Sequence, residues 1–185
     1  MSDLVLSNLT INGRPVGLFE EEQFPYQTVQ IGNQIWMAES LHEDDGGEGI
    51  LVMNNITING VLYPKICYYT YEAAVRIAST VNGWHLPTKS EVDTLVQYVN
   101  NGTYNGELSN KMKSTTGWNN NGIDSYGWNA KPDGKDDPYI GFRPGGEYTL
   151  WQQGAYRWYV TEDNRSANGT ERHDYGFSVR LIKDT

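Results

Sequence analysis

The 185-residue chain has little cysteine, few basic residues and no long apolar run. Its one cysteine, Cys67, excludes an intrachain disulfide and a cysteine-rich metal site, and its apolar neighbours predict a small core residue. The 14 Lys and Arg face 23 Asp and Glu, and the net charge of −9 leaves no basic patch for nucleic acid or an anionic membrane. No segment has the pattern of a membrane span or a secretory signal, so we predict no membrane insertion.

Aromatic residues and glycine are plentiful instead. The six Trp, thirteen Tyr and 20 Gly favour a loop-rich domain that aromatic side chains hold together. A chain of this length can bury one substantial core and still have room for a small appendage. We predict a main domain over residues 26–185, preceded by an amino-terminal hairpin segment over residues 1–25.

Alternating apolar and polar residues predict β-hairpins and short strands. Hairpin turns are expected at Asn12-Gly13, Gly32-Asn33 and Asn59-Gly60, where the alternation is interrupted by residues that favour tight turns. Short strands are expected again at residues 147–151, 157–161 and 177–182.

Two helices are predicted from capping residues and apolar stripes. Thr70 is expected to cap a helix that runs through Val81. Thr88 and Glu91 have the spacing of a capping box, in which each side chain bonds the backbone amide of the other residue. An apolar stripe at i, i+3, i+4 and i+7 follows, made by Val92, Leu95, Val96 and Val99. Residues 100–144 carry no long periodic segment, so a long irregular insertion is expected there.

Several short sequence words occur in a fixed order along the chain. They are Ile-Gly-Asn-Gln-Ile-Trp-Met-Ala-Glu at residues 31–39, Gly-Trp-His-Leu-Pro-Thr at 83–88, Trp118, and Tyr-Gly-Phe-Ser-Val-Arg at 175–180. In this order the words resemble the Fibrobacter-type major paralogous domain, a C-type-lectin-like fold, over roughly residues 26–183. The resemblance implies an α+β fold with two helices on a twisted, mainly antiparallel sheet, and with the irregular insertion bearing the exposed face.

The same fold is shared with formylglycine-generating enzymes, but Cys67 alone cannot supply their paired catalytic cysteines. No serine or cysteine catalytic signature is present. His85 is expected to be structural, because His42 and His173 are not nearby in sequence. We predict a non-enzymatic protein without a cofactor. An enzyme on that scaffold is the alternative from a different class of function.

Two acidic stretches resemble calcium loops in composition only. The Asp-Gly-Lys-Asp-Asp stretch at residues 133–137 lacks EF-hand spacing, and the chain lacks the Glu-Pro-Asn and Trp-Asn-Asp words of calcium-dependent sugar-binding lectins. We therefore predict no metal site, and a solvated turn there as at residues 42–49. Trp118 and Trp128 are expected to fill the core rather than to stack on a ligand.

The carboxy-terminal part of the chain combines rigid aromatic and adaptable polar side chains, the composition of a recognition surface. Strand alternation turns Arg157 and Tyr159 outward, with Trp158 partly buried, beside a polar loop over residues 164–173. The ligand-binding residues predicted from this pattern are Tyr156, Arg157, Trp158, Tyr159, Asn164, Arg165, Asn168, Arg172 and His173. An ordinary surface loop is the simpler interpretation.

This region is also similar to the variable proteins of diversity-generating retroelements, which end in a Gly-Phe-Ser-Val-Arg-like strand after a hypermutated polar stretch. The chain is shorter than they are, by roughly one hairpin between Glu162 and Tyr175. The likeness implies a phage or prophage protein, on the tail or capsid surface of a virion, that binds a host-surface protein or glycan. Residues 1–25 would then dock to the particle or help to form a homotrimer. A secreted or cell-surface bacterial adhesin is the alternative.

Overall fold

The computed structural model describes residues 25–184, together with the backbone of residues 10–11 and 14–15. The strands Thr10–Ile11 (β1) and Arg14–Pro15 (β2) pair antiparallel on either side of the turn predicted at residues 12–13. Apart from these four strand residues, residues 1–24, including that turn, lie outside the described residues. The division of the chain at residue 25 therefore stays a prediction.

Two antiparallel hairpins begin the main part of the chain, as the alternation predicts. The second turn uses Asn59 at φ 47° and Gly60 at φ 80°. Both central residues of this turn type need positive φ, which Asn and Gly adopt with the least strain. Residues 42–49, between the hairpins, are exposed as predicted. The paired strands are Thr28–Ile31 (β3) with Gln34–Met37 (β4), and Ile50–Ile58 (β5) with Val61–Tyr69 (β6).

Within residues 25–184 the structure has three helices, of which two were predicted. Thr70 and Thr88 cap the first two, and Glu91 completes the capping box. The apolar stripe of the second helix is at most 3% exposed, so this face packs into the core. The first helix ends at Ala78 rather than at Val81. The helices are Tyr71–Ala78 (α1), Lys89–Asn100 (α2) and Gly106–Met112 (α3), with the strand Trp84–His85 (β7) before α2.

The helix α3 corrects the prediction of an irregular insertion. Asn105 caps it, because its side-chain oxygen accepts hydrogen bonds from the amides of Glu107 at 3.0 Å and Leu108 at 3.1 Å. The helix has 7 residues, which is too short for a repeated apolar stripe to stand out in the sequence. Leu108 and Met112 form its apolar buried face.

The remainder of the described chain is made of short strands. They are Lys135–Asp137 (β8), Gly141–Arg143 (β9), Glu147–Gln152 (β10), Tyr156–Thr161 (β11), Ser166–Thr170 (β12) and Ile182–Lys183 (β13). One antiparallel sheet has the order β10-β11-β12, and another has the order β3-β4-β13-β7. The described chain is α+β, with three helices and several small antiparallel sheets rather than two helices on one sheet. No described helix is long and apolar enough to cross a membrane.

Tryptophan rings fill the core. Trp36, Trp128 and Trp158 are 0% exposed, and their ring centroids follow one another at 5.3 and 5.5 Å. Trp118 is 4% exposed, so the predicted core positions of Trp118 and Trp128 are confirmed. Cys67 is 1% exposed and is a core residue, as predicted.

His85 has the structural position expected from the sequence. Its Nδ1 lies 2.6 Å from an Asp184 carboxylate oxygen, and its Nε2 lies 2.9 Å from Glu91 Oε1. Burial lowers the pKa of His85, but the bonds to the two carboxylates outweigh it, and the pKa is raised above its ordinary value. His85 therefore ties the last described residues to the start of α2.

The prediction of a solvated turn at residues 133–137 is wrong. Asp133 is 5% exposed, because β8 pairs with β9 and lies beside β10. Its Oδ2 accepts hydrogen bonds from the hydroxyls of Ser40 at 3.2 Å and Ser178 at 3.3 Å. Burial raises the pKa of Asp133 to about 6, although the nearby Arg180 acts in the opposite direction.

Asp133 should make the stability of the protein depend on pH. The pKa of Asp133 is about 6 in the folded chain and about 3.9 in the unfolded chain. The neutral form therefore contributes its full share of the free energy of unfolding below about pH 4. This contribution is lost as the pH rises through about 6. We expect Asp133→Asn to lose less stability than the parent between about pH 4 and about pH 7. Urea unfolding across that range checks this, and parallel profiles of the two proteins would contradict it.

Candidate functional site

The strand β11 alternates as the sequence predicts. Arg157 and Tyr159 are half-buried on its outer face, while Trp158 and Val160 are 0% exposed on the other. The indole nitrogen of Trp158 donates a hydrogen bond to Ser166 Oγ at 2.8 Å. Trp158 is thus fully rather than partly buried, and we remove it from the predicted contact residues.

Half of the polar loop predicted over residues 164–173 is the strand β12, and the two asparagines of the loop bond inside the fold. Asn164 has φ 58° and accepts a hydrogen bond from Lys113 Nζ at 2.7 Å. Asn168 pairs across from Trp158 and exchanges hydrogen bonds of 3.0 and 3.2 Å with Gln152. Because these hydrogen bonds hold Asn164 and Asn168 in place, we leave both out of the candidate contact residues.

Arg157 and Tyr159 form a packed pair on the outer face of β11. The guanidinium carbon of Arg157 lies 4.7 Å from the ring centroid of Tyr159. Arg157 Nε also lies 2.8 Å from a carboxylate oxygen of Glu171, with the geometry of an ion pair rather than of a directed hydrogen bond. This contact links the face of β11 to the turn that follows β12.

That turn presents two of the predicted residues. Arg172 is exposed and bonds both carboxylate oxygens of Asp174, at 3.1 and 2.6 Å. His173 is also exposed, and its ring packs on Tyr71 with centroids 4.8 Å apart. Its Nδ1 lies 2.7 Å from Glu72 Oε1. The turn therefore rests against the start of α1.

The hairpin β8–β9 adds two residues that the sequence reasoning missed. Tyr139 and Ile140, at its tip, are 65% and 57% exposed. The guanidinium carbon of Arg172 lies 4.9 Å from the ring centroid of Tyr139, so the tip and the turn touch. The sequence does contain a signal for this site, because Tyr139 and Ile140 are two adjacent large apolar residues in a polar stretch. We define the recognition surface as Arg157, Tyr159, Arg172, His173, Tyr139 and Ile140.

The other two predicted residues lie at the margins. Tyr156 is half-buried on the opposite face of β11 from Arg157. Arg165 is exposed in the β11–β12 connection and pairs with Asp163 at 2.5 Å. The hydrogen bond from Arg165 lowers the pKa of Asp163 to about 2. Arg165 interacts electrostatically with Tyr159, so it borders the recognition surface.

The arginines of the recognition surface are balanced by carboxylates. Arg157 faces Glu171, Arg172 faces Asp174, and His173 faces Glu72. The hydrogen bond from Arg172 also holds the pKa of Asp174 below its ordinary value. A ligand on this surface would thus meet aromatic and aliphatic side chains between arginine–carboxylate pairs that carry no net charge. Within the described part of the chain, no group of three or more His, Cys, Asp or Glu could hold a metal ion.

Comparison with protein families agrees with the sequence words. Residues 29–183 match the family model of the Fibrobacter succinogenes major domain. The chain belongs to this family. No curated protein and no solved structure matches the chain.

Two of the sequence motifs that carry this family resemblance are residues 83–88 and residues 175–180. Both belong to the framework of the domain. Residues 83–88 contain β7 and end at the α2 cap. Residues 175–180 run beside the second hairpin and β10, where Phe177 bridges Tyr69 and Ser178 bridges Leu150. Gly176 bridges Asp136 of β8 in the same way. The second of these motifs therefore positions the hairpin whose tip carries Tyr139.

Proposed function

We propose that this chain is a ligand-binding protein and that the recognition surface contacts its partner. Exposed large apolar side chains that lie together with aromatic residues and arginine are characteristic of protein-binding sites. Here Tyr139 and Ile140 are more than half exposed, Arg172 packs on Tyr139, and Arg157 pairs with Glu171 in the same turn as Arg172. The stacking of Arg172 on Tyr139 carries the proposal, because it makes one continuous surface from two distant segments.

The partner in this proposal is a host-surface protein or glycan without strong net charge. A polyanionic partner gains most from unpaired cations, whereas Arg157 and Arg172 each face a carboxylate. Contact area from Tyr139 and Ile140 depends little on ionic strength, because salt screens charges and not apolar burial. Attachment through this surface should therefore persist at high salt.

The proposal extends to a C-type-lectin-like fold and to a place on a phage or prophage virion, with residues 1–25 docking to the particle or forming a homotrimer. It rests on the carboxy-terminal word and on the outward-facing β11 beside it. A secreted or cell-surface adhesin could use the same surface. A reverse transcriptase gene and a near-identical template repeat beside the coding sequence would favour the virion protein with a diversified surface.

The double variant Tyr159→Ala/Arg172→Ala should lose attachment while it stays folded. Arg172 is exposed, and Tyr159 is half-buried on the outer face of β11 and outside the core, so we expect a loss of about 1 kcal/mol and a folded protein. Flow cytometry of the labelled protein on a panel of bacterial strains measures attachment. Thermal melting measures the fold.

A matched control is available on another part of the molecule. Tyr98 is 59% exposed, and Lys89 pairs with Asp93 on the outside of α2. The variant Tyr98→Ala/Lys89→Ala therefore also removes one tyrosine and one paired cation, but from a different face of the protein. This control should attach like the parent. Full attachment by the folded Tyr159→Ala/Arg172→Ala variant would show that the partner binds a different surface.

A further inference from the structure

A cavity of about 260 Å³ opens between segments that the recognition surface does not use. Its walls come from residues 38–42, from residues 62–67 of β6 and from Asn129, Lys131 and Asp133, and Arg180 lines it as well. Ligand pockets commonly have volumes of about 300–1,000 Å³, so this cavity suits a small ligand. It shares no residue with the recognition surface.

The part of the cavity that Asp133 and Arg180 line is polar, and hydrogen bonds hold both side chains in place. Asp133 is 5% exposed and accepts hydrogen bonds from Ser40 and Ser178. Arg180 is 1% exposed, and its Nη2 donates to the backbone oxygen of Asn129 at 3.2 Å. Its Nε has no hydrogen-bond partner among the described residues. A carboxylate and a guanidinium that line the same small cavity together contribute no net charge.

The rim of the cavity mixes groups that accept hydrogen bonds with groups that donate them. Glu39 supplies acceptors, and the exposed ammonium groups of Lys65 and Lys131 supply donors. The Lys131 ammonium lies 5.6 Å from the ring centroid of Tyr63, which restricts its position. Leu62 is 59% exposed and contributes apolar surface at the opening.

A ligand for this cavity has to meet both donors and acceptors of hydrogen bonds. A hydroxyl group does both, since it donates one hydrogen bond and accepts others. A ligand with charge of only one sign would come against like charge in the lining, either Asp133 and Glu39 or Arg180, Lys65 and Lys131. We propose that this cavity binds a neutral, polyhydroxylated ring the size of one monosaccharide. The carbon face of the ring packs on Leu62, and its hydroxyls reach Asp133.

Titration calorimetry and saturation-transfer NMR with simple sugars test the proposal. The probes are the methyl pyranosides of glucose, galactose and mannose, with glucuronate and glucosamine as charged counterparts. At least one neutral probe should bind saturably with a Kd in about the millimolar range. The charged counterpart of that probe should bind more weakly.

Substitutions locate the binding. Leu62→Trp places a large side chain at the opening and should weaken binding by about tenfold or more. Ile123→Trp, at a site that is 57% exposed and does not line the cavity, should bind like the parent. Asp133→Asn keeps the size of the side chain and should weaken binding while circular dichroism shows an intact fold. Tyr159→Ala/Arg172→Ala should leave sugar binding unchanged, which separates this cavity from the recognition surface.

Three results would overturn the proposal. One is the absence of binding by every neutral probe up to about 50 mM. Another is undiminished binding by Leu62→Trp or by folded Asp133→Asn. The third is binding of glucuronate or glucosamine that is as tight as that of the neutral probe.

Discussion

Replacing Trp128 with Ala should lower the free energy of unfolding by about 3–5 kcal/mol, the usual cost of emptying a large buried aromatic site. Trp128 is 0% exposed and meets Trp36 and Trp158 edge to face. The guanidinium carbon of Arg180 lies 4.8 Å from the Trp128 ring centroid, so the variant also removes the ring against which a buried cation packs. Urea unfolding followed by circular dichroism measures the change.

Two companion variants separate loss of packing from a general effect of mutation. Trp128→Phe keeps a ring in the site, and it should be less destabilising than Trp128→Ala because the cavity is smaller. Ile123→Ala changes a side chain that is 57% exposed and should stay within about 0.5 kcal/mol of the parent. A stability of Trp128→Ala close to that of Ile123→Ala would contradict the central position of this tryptophan.

The features that could be predicted from the sequence are those that neighbouring residues determine. The capping box needs only Thr88 and Glu91, and the structure contains both of its hydrogen bonds. The hairpin turn needs only Asn59 and Gly60, which supply the two positive φ angles. In both cases the interacting atoms lie within a few residues, so the sequence pattern and the geometry coincide.

The features that were missed depend on residues far apart in the chain. The sequence predicted that Asp133 is part of a solvated polar turn. Its carboxylate is buried instead and accepts hydrogen bonds from Ser40 and Ser178, which lie 93 and 45 positions away. The strand β12 reads Ser-Ala-Asn-Gly-Thr, without apolar alternation, and it is a strand because β11 supplies its hydrogen-bonding edge. Such contacts have no local sequence signature.

The candidate site divides in the same way. The alternation of side chains along a strand was enough to predict that Arg157 and Tyr159 share the outer face of β11. Successive side chains of any strand point to opposite faces, so this prediction needs no distant contact. The alternation could not show that Asn164 bonds Lys113, since that contact spans 51 positions. Nor could it bring Tyr139 next to Arg172, because the tip of β8–β9 reaches the turn only through the tertiary fold.

Lys113 is buried at the base of the β11–β12 connection and shows how that connection is held. It is 0% exposed and its ammonium donates to the backbone oxygen of Asn120 at 2.6 Å and to Asn164 Oδ1 at 2.7 Å. A third, longer bond of 3.4 Å reaches the backbone oxygen of Glu162. Burial lowers the pKa of Lys113, although Glu162 and Asp163 act against it. One cation thus joins α3, at its C-cap, to Glu162 and Asn164 of the connection.

Lys113→Met should lower the free energy of unfolding by about 3 kcal/mol, because a side chain of similar length leaves these acceptors without their donor. Lys89→Met should stay within about 0.5 kcal/mol, since Lys89 forms an exposed pair with Asp93. Asn164→Asp should keep most of the stability, because a carboxylate can accept the same bond and tolerates positive φ. Urea unfolding compares the three variants. Equal stabilities of Lys113→Met and Lys89→Met would mean that water replaces the buried ammonium at little cost, and that the connection holds its shape without it.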